Sequence, residues 1–174
     1  MNWTSFHRRG EILRSVTAVA DRRLDGALPM GVDGVRECFD EHQLLGALQL
    51  RWHTRLAGRI ERELMYQPMD LEQAVVTAWH RTADELPGIR AILDRHREQP
   101  LDPAMAEMMS KATAKEHLLL AMMAGQGSAE DAATVAAGAR LEARARASYT
   151  PTRPPADADR PTTLLTWLRA ALAA

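Results

Sequence analysis

A single cysteine, Cys38, rules out an internal disulfide framework in this 174-residue chain and gives no reason to expect export. Its neighbours Glu37 and Asp40 would raise a thiol pKa rather than depress it, so Cys38 reads as a half-buried structural thiol, not a nucleophile. Lysine is nearly as scarce: Lys111 and Lys115 stand against twenty arginines. An arginine excess can signal recognition of phosphate or carboxylate by bidentate forks. Here the acids balance the bases to a net charge of −1, so no broad basic field results. Codon bias in a GC-rich genome, which would also explain the abundant alanine, is the simpler account. No N-terminal apolar run resembles a signal peptide and no stretch approaches a membrane span, so a cytoplasmic protein without a membrane partner is expected. Alternating β-branched runs are absent as well, which leaves no strand to predict. The chain reads as all-α.

What is present is helical periodicity. A first helix is expected from about Thr4 to Leu24, closed by Asp25-Gly26, and Asp33 is the expected cap of a short helix ending at Phe39. From Glu41 to Tyr66, apolar residues recur at Leu45, Leu48, Trp52, Leu56, Ile60 and Leu64, one buried helix face capped by Asp40. The turn Gln67-Pro68-Met69-Asp70 leads into a second arm with Leu71, Val75, Ala78, Trp79, Thr82 and Leu86, begun by a capping-box-like Asp70 and Gln73. Pro87-Gly88 breaks it, and a shorter piece continues to about Glu98. Asp102-Pro103 opens a helix that stops at Gly125, and Ser128 with Asp131 opens another that fades near Ser148. Antiparallel register about Pro68 places Trp52 and Trp79 near each other and in the core.

Four of the nine prolines fall in the stretch that follows Ser148. Residues 149–162 therefore read as an extended, mobile linker. Residues 163–174 regain an apolar pattern through Leu164, Leu165, Trp167, Leu168 and Leu172. The expectation is a single-domain helical bundle over 1–148, of about five to seven helices around a central long antiparallel hairpin, with a tethered C-terminal amphipathic helix. Such a short helix does not persist alone in water. It needs a surface: its own bundle, a second copy, or another protein.

Three constellations could carry function. Arg51, Arg55, Arg59 and Arg62 form one stripe on the first hairpin arm, with no glutamate four residues before any of them. Matching residues level across the hairpin sets Arg62 beside Glu72 or Asp70, and Arg51 beside Asp84 or Glu85. Arg55 and Arg59 then face Val76 and His80, and become the expected site for an anion or acidic partner. Against nucleic acid stand the missing reading motif and the lack of aromatic–basic interleaving.

Six histidines are spread over several helices, which raises a metal-binding bundle of ferritin-like or hemerythrin-like outline as the alternative reading. Its candidate ligands are His53, His80, Asp84 and His117. The paired spacing such sites use, Glu-x-x-His on two helices, is absent, as is His-x-x-x-His. His53 and His80 each follow a tryptophan, which fits boundary histidines beside the seam. The third constellation is methionine: five of nine lie between Pro103 and Ala124, and Met105, Met108 and Met109 share a face. Unbranched, polarisable side chains fill core gaps, and they also suit grooves that accept a helix. No nucleophile elbow, Ser-x-x-Lys or phosphate-cradling loop occurs. The sequence reads as a non-enzymatic interaction module without a cofactor, its partner a protein or a second copy. The partner-binding residues would be Met105, Met108, Met109 and the five apolar residues of 163–174.

Overall fold

The computed structural model describes residues 3–66 and 69–152, and within them regular structure is all helical, without a strand. Seven helices follow in order: α1 (Trp3–Arg23), α2 (Val35–Cys38), α3 (Glu41–Tyr66), α4 (Leu71–Glu85), α5 (Pro87–Glu98), α6 (Pro103–Met123) and α7 (Ala132–Ser148). Residues 67–68, the expected linker beyond Thr152 and the whole segment 163–174 lie outside the described residues.

Local chemistry sets the helix ends. Asp40 accepts from the Gln43 amide at 2.7 Å while Gln43 Oε1 accepts from the Asp40 amide at 3.2 Å, a reciprocal capping box. Asp70, Asp102 and Asp131 accept from the amides of Gln73, Met105 and Thr134, each satisfying a first-turn donor that the helix leaves orphaned. α6 closes in a Schellman arrangement: Gly125, at φ 70°, donates to the Met122 carbonyl, and Gln126 donates to that of Ala121. One expected cap is corrected. The residue before α2 is Gly34, at φ 80°, not Asp33, and no side chain caps that helix. A four-residue helix entered through a left-handed glycine has its chain direction set by backbone, which the Asp33 side chain cannot replace.

α3 is the axis of the bundle, packed against α4, α5 and α6; α1 lies on α5, and α7 lies on α6 and α4. Its seam residues Leu45, Leu48, Trp52, Leu56 and Ile60 are all fully buried. Trp52 and Trp79 meet edge-to-face, ring centroids 6.0 Å apart and planes at 74°, a favoured geometry because the ring edge is positive and the face negative. Both rings are buried. Two glycines permit close crossings. A Cβ on Gly88 would stand 2.2 Å from the Ala20 carbonyl carbon on α1, and one on Gly138 would stand 1.8 Å from the His117 carbonyl oxygen on α6.

Tyr149 to Thr152, the first residues of the expected linker, form no helix but are held against α4. The Tyr149 hydroxyl and the Thr152 amide donate to Asp84 Oδ1 at 2.9 and 3.0 Å, and the Thr152 hydroxyl donates to Oδ2 at 2.6 Å. The Tyr149 ring packs edge-on against Trp79. Burial pushes the Asp84 carboxyl up, but the Thr152 and Tyr149 donors outweigh it and hold it below the usual carboxylate range.

Candidate functional site

The outward side of α3 carries Leu50, two-thirds exposed at 66%, between two grooves. One, of about 510 Å³, runs beside the arginine stripe. Its floor is Leu13, Ala47 and Leu86, its wall Arg51, Arg55, Arg59 and Arg62, and Glu85 is its one acid.

The pairing within this stripe reverses the expected one. Arg55 and Arg59, expected to meet no acid, both donate to Glu85, Arg59 at 2.7 Å. The Arg55 guanidinium, joined by Arg59, holds the Glu85 carboxyl below its usual range. Arg51 and Arg62, expected to be paired, have no acid within ion-pairing distance among the described residues. Their anticipated partners are taken elsewhere: Glu72 by Gln126 and Arg144, Asp84 by Tyr149 and Thr152. The physical reason is side-chain tilt. Every helical side chain leans toward its own N-terminus. In an antiparallel hairpin the α3 arginines lean away from the turn, whereas the α4 acids lean toward it. The two tilts add, so a pair meets several residues off the level of its Cα atoms. Arg81, which reaches Glu63 across the same hairpin, shows the same offset.

The second groove, of about 460 Å³, lies between α3 and α6. Gly46, Leu50 and His53 line it from α3, and Met108, Met109 and Ala112 from α6, with Lys111 and Lys115 at its edge. Two of the three expected methionines are therefore in this groove's lining, Met108 half-buried and Met109 buried at 3%. Met105 is not: it is fully buried in the core, where its sulfur accepts from the Leu101 amide at 3.5 Å. Leu164, Leu165, Trp167, Leu168 and Leu172 lie outside the described residues.

The four candidate metal ligands occupy separate settings. His53 lines the second groove. His80 Nε2 donates to the Ala145 carbonyl at 2.8 Å, with the Tyr149 ring beside it. Asp84 holds Tyr149 and Thr152, and His117 Nε2 donates to Glu142 at 2.7 Å. Among the described residues no three His, Cys, Asp or Glu side chains form a group able to hold a metal ion.

Sequence reading missed a buried charge network where α5, α6 and α7 meet. Glu142 accepts from Arg97 at 3.0 and 3.1 Å, from Arg146 at 2.8 Å and from His117. Arg146 also reaches Asp94 at 2.6 Å; Arg90, stacked 4.6 Å above the Trp52 ring, lies 2.8 Å from Asp94 and 3.5 Å from Glu116. Burial pushes the Glu142 carboxyl up, but the His117 hydrogen bond and the Arg97 and Arg146 guanidiniums prevail and hold it far below its usual range. The same balance, led by Arg146 and Arg90, depresses Asp94. Carboxylates held ionised by fixed guanidiniums are poor general acids. One signal for it existed: Glu116 stands on the stripe of Met105, Met109 and Leu120.

Comparison with protein-family models, with curated proteins and with solved structures finds no significant match to this chain. Among the described residues no helix is long and apolar enough to cross a membrane.

Proposed function

We propose that the protein is a non-enzymatic helical interaction module, an adaptor, regulator or assembly subunit, whose working face is the α3–α6 groove. The observation behind this is Leu50. A leucine that is 66% exposed lies beside a groove floored by Met108, Met109 and Ala112, an adaptable apolar surface suited to one face of an amphipathic helix. Lys111, Lys115 and His53 at its edges favour a helix flanked by acidic residues. The partner is then another protein bearing such a helix, or a second copy of this chain.

Replacing Met108→Asp and, separately, Leu50→Asp in the full chain tests the reading. Each puts a charge into the contact without disturbing a fully buried residue. Both are expected to abolish capture of a labelled acidic amphipathic helix and, if the partner is a second copy, to shift sedimentation from dimer to monomer. Should capture and sedimentation match the parent in both variants, the groove is not a docking face.

A further inference from the structure

We propose that the arginine-walled groove is filled in cis by this chain's own residues 163–174. The inference rests on the interaction reading above and names the occupant of the groove on the other side of Leu50.

The first argument is where the described chain ends. Thr152 is fastened to Asp84 by its amide and its hydroxyl, at 3.0 and 2.6 Å. The next two residues, Glu85 and Leu86, line the groove. The chain is thus released from a point one residue along α4 from the groove's Glu85. Ten residues, 153–162, separate that point from Thr163. As a flexible coil they span about 17 Å, and fully extended about 33 Å, so the groove is within reach without strain.

Dimensions and chemistry agree. The α3 wall from Ala47 to Arg62 is about 22 Å long at helical rise, and twelve residues wound as a helix occupy about 18 Å. Leu13, Ala47 and Leu86 offer an apolar floor to a segment whose apolar side chains are Leu164, Leu165, Trp167, Leu168 and Leu172. The connecting stretch balances Asp157 and Asp159 with Arg153 and Arg160, and the segment itself carries Arg169, so the fit rests on apolar contact and reach rather than on charge. A tether of this length holds its segment at an effective concentration of order millimolar. Even weak apolar contact then suffices for occupancy.

Disulfide trapping in the full chain, with Cys38→Ala to remove the native thiol, tests the placement. Gly58→Cys reports the arginine groove, since a Cβ there meets nothing within 4 Å; Gly46→Cys reports the methionine groove, where the nearest atom is Met108 Sδ at 3.9 Å. Each is paired with Leu168→Cys under mild oxidation at micromolar protein. The expected result is a cross-link within one chain, formed at least tenfold faster through Gly58→Cys than through Gly46→Cys. It should slow at least tenfold when Leu164→Asp and Trp167→Asp are added. Faster trapping through Gly46→Cys, cross-links only between chains, or indifference to the two aspartates would each overturn the proposal. Loss of helix capture in Met108→Asp alongside failed trapping at Gly58→Cys would leave the interaction reading standing while this one falls. Intact capture in Met108→Asp with efficient trapping would do the reverse.

Discussion

Glu116 has no exposed surface, and its Oε2 finds no donor among the described residues. A carboxylate taken out of water loses several kcal/mol of solvation, and a cation must be close to offset it. Arg90 is that cation, at 3.5 Å, itself buried over Trp52 and shared with Asp94. Removing the guanidinium strands Glu116, while Asp94 keeps Arg146. Arg90→Met is expected to lower unfolding free energy by about 3–5 kcal/mol in urea titration. Adding Glu116→Leu should recover most of the loss, because the pair exchanged for apolar volume leaves no uncompensated buried charge at Glu116. A double variant no more stable than Arg90→Met would show that the loss comes from packing against Trp52 instead. Neither residue was legible as a pair from sequence. Arg90 and Glu116 come from different helices, and no local spacing encodes a partner brought in by tertiary packing.

At the scale of elements, most of what depends on neighbours in sequence was legible, the cap of α2 excepted, and the hairpin register gave the Trp52–Trp79 contact, but not which charges pair. The α3 seam, the Trp52–Trp79 contact and the caps at Asp40, Asp70, Asp102 and Asp131 follow from periodicity and from the needs of orphaned amides. The arginine pairings did not follow, because matching Cα levels ignores tilts that add across an antiparallel hairpin. The α6–α7 crossing was equally hidden. Gly138 sits mid-helix, where glycine ordinarily costs stability, yet a Cβ there would stand 1.8 Å from the His117 carbonyl. Backbone cannot step aside as a flexible side chain can. Gly138→Ala is therefore expected to destabilise by about 1–3 kcal/mol or more through forced separation of the helices. Gly58→Ala on α3, where added volume meets nothing, should instead stabilise by about 0.5–1 kcal/mol through helix propensity. Paired urea and thermal melts read both. Equal effects at the two glycines would deny the close crossing. On the same footing, Trp79→Ala should cost about 3–5 kcal/mol, since it empties the centre of the hairpin and removes the wall that Tyr149 packs on.

For the molecule as a whole, Glu142 is where three helices are joined by charge: Arg97 from α5, His117 from α6 and Arg146 from its own α7. The opposing effects of burial and of these donors resolve in favour of the ionised form, so the folded carboxyl titrates far below the ordinary 4.5. Asp94, held by Arg146 and Arg90, is displaced the same way from 3.8, and Asp84, which anchors the chain after α7, likewise. The sign follows from linkage. A carboxyl whose folded pKa is depressed binds fewer protons folded than unfolded, so stability rises with pH wherever the unfolded form takes up the proton. The contribution is complete above the unfolded values and drains away as pH falls through the folded ones. The contribution of these carboxyls should thus be level above about pH 5 and fall through the acid range below it. Glu142→Gln is expected to weaken the protein at neutral pH, since Arg97 and Arg146 lose their shared counter-charge. The diagnostic is its slope: the urea midpoint of the variant should vary less between about pH 5 and pH 2 than that of the parent. If the two profiles run parallel over that interval, Glu142 is not the acid-sensitive joint of α5, α6 and α7, and Asp94, Asp84 and the other depressed carboxyls carry the dependence instead.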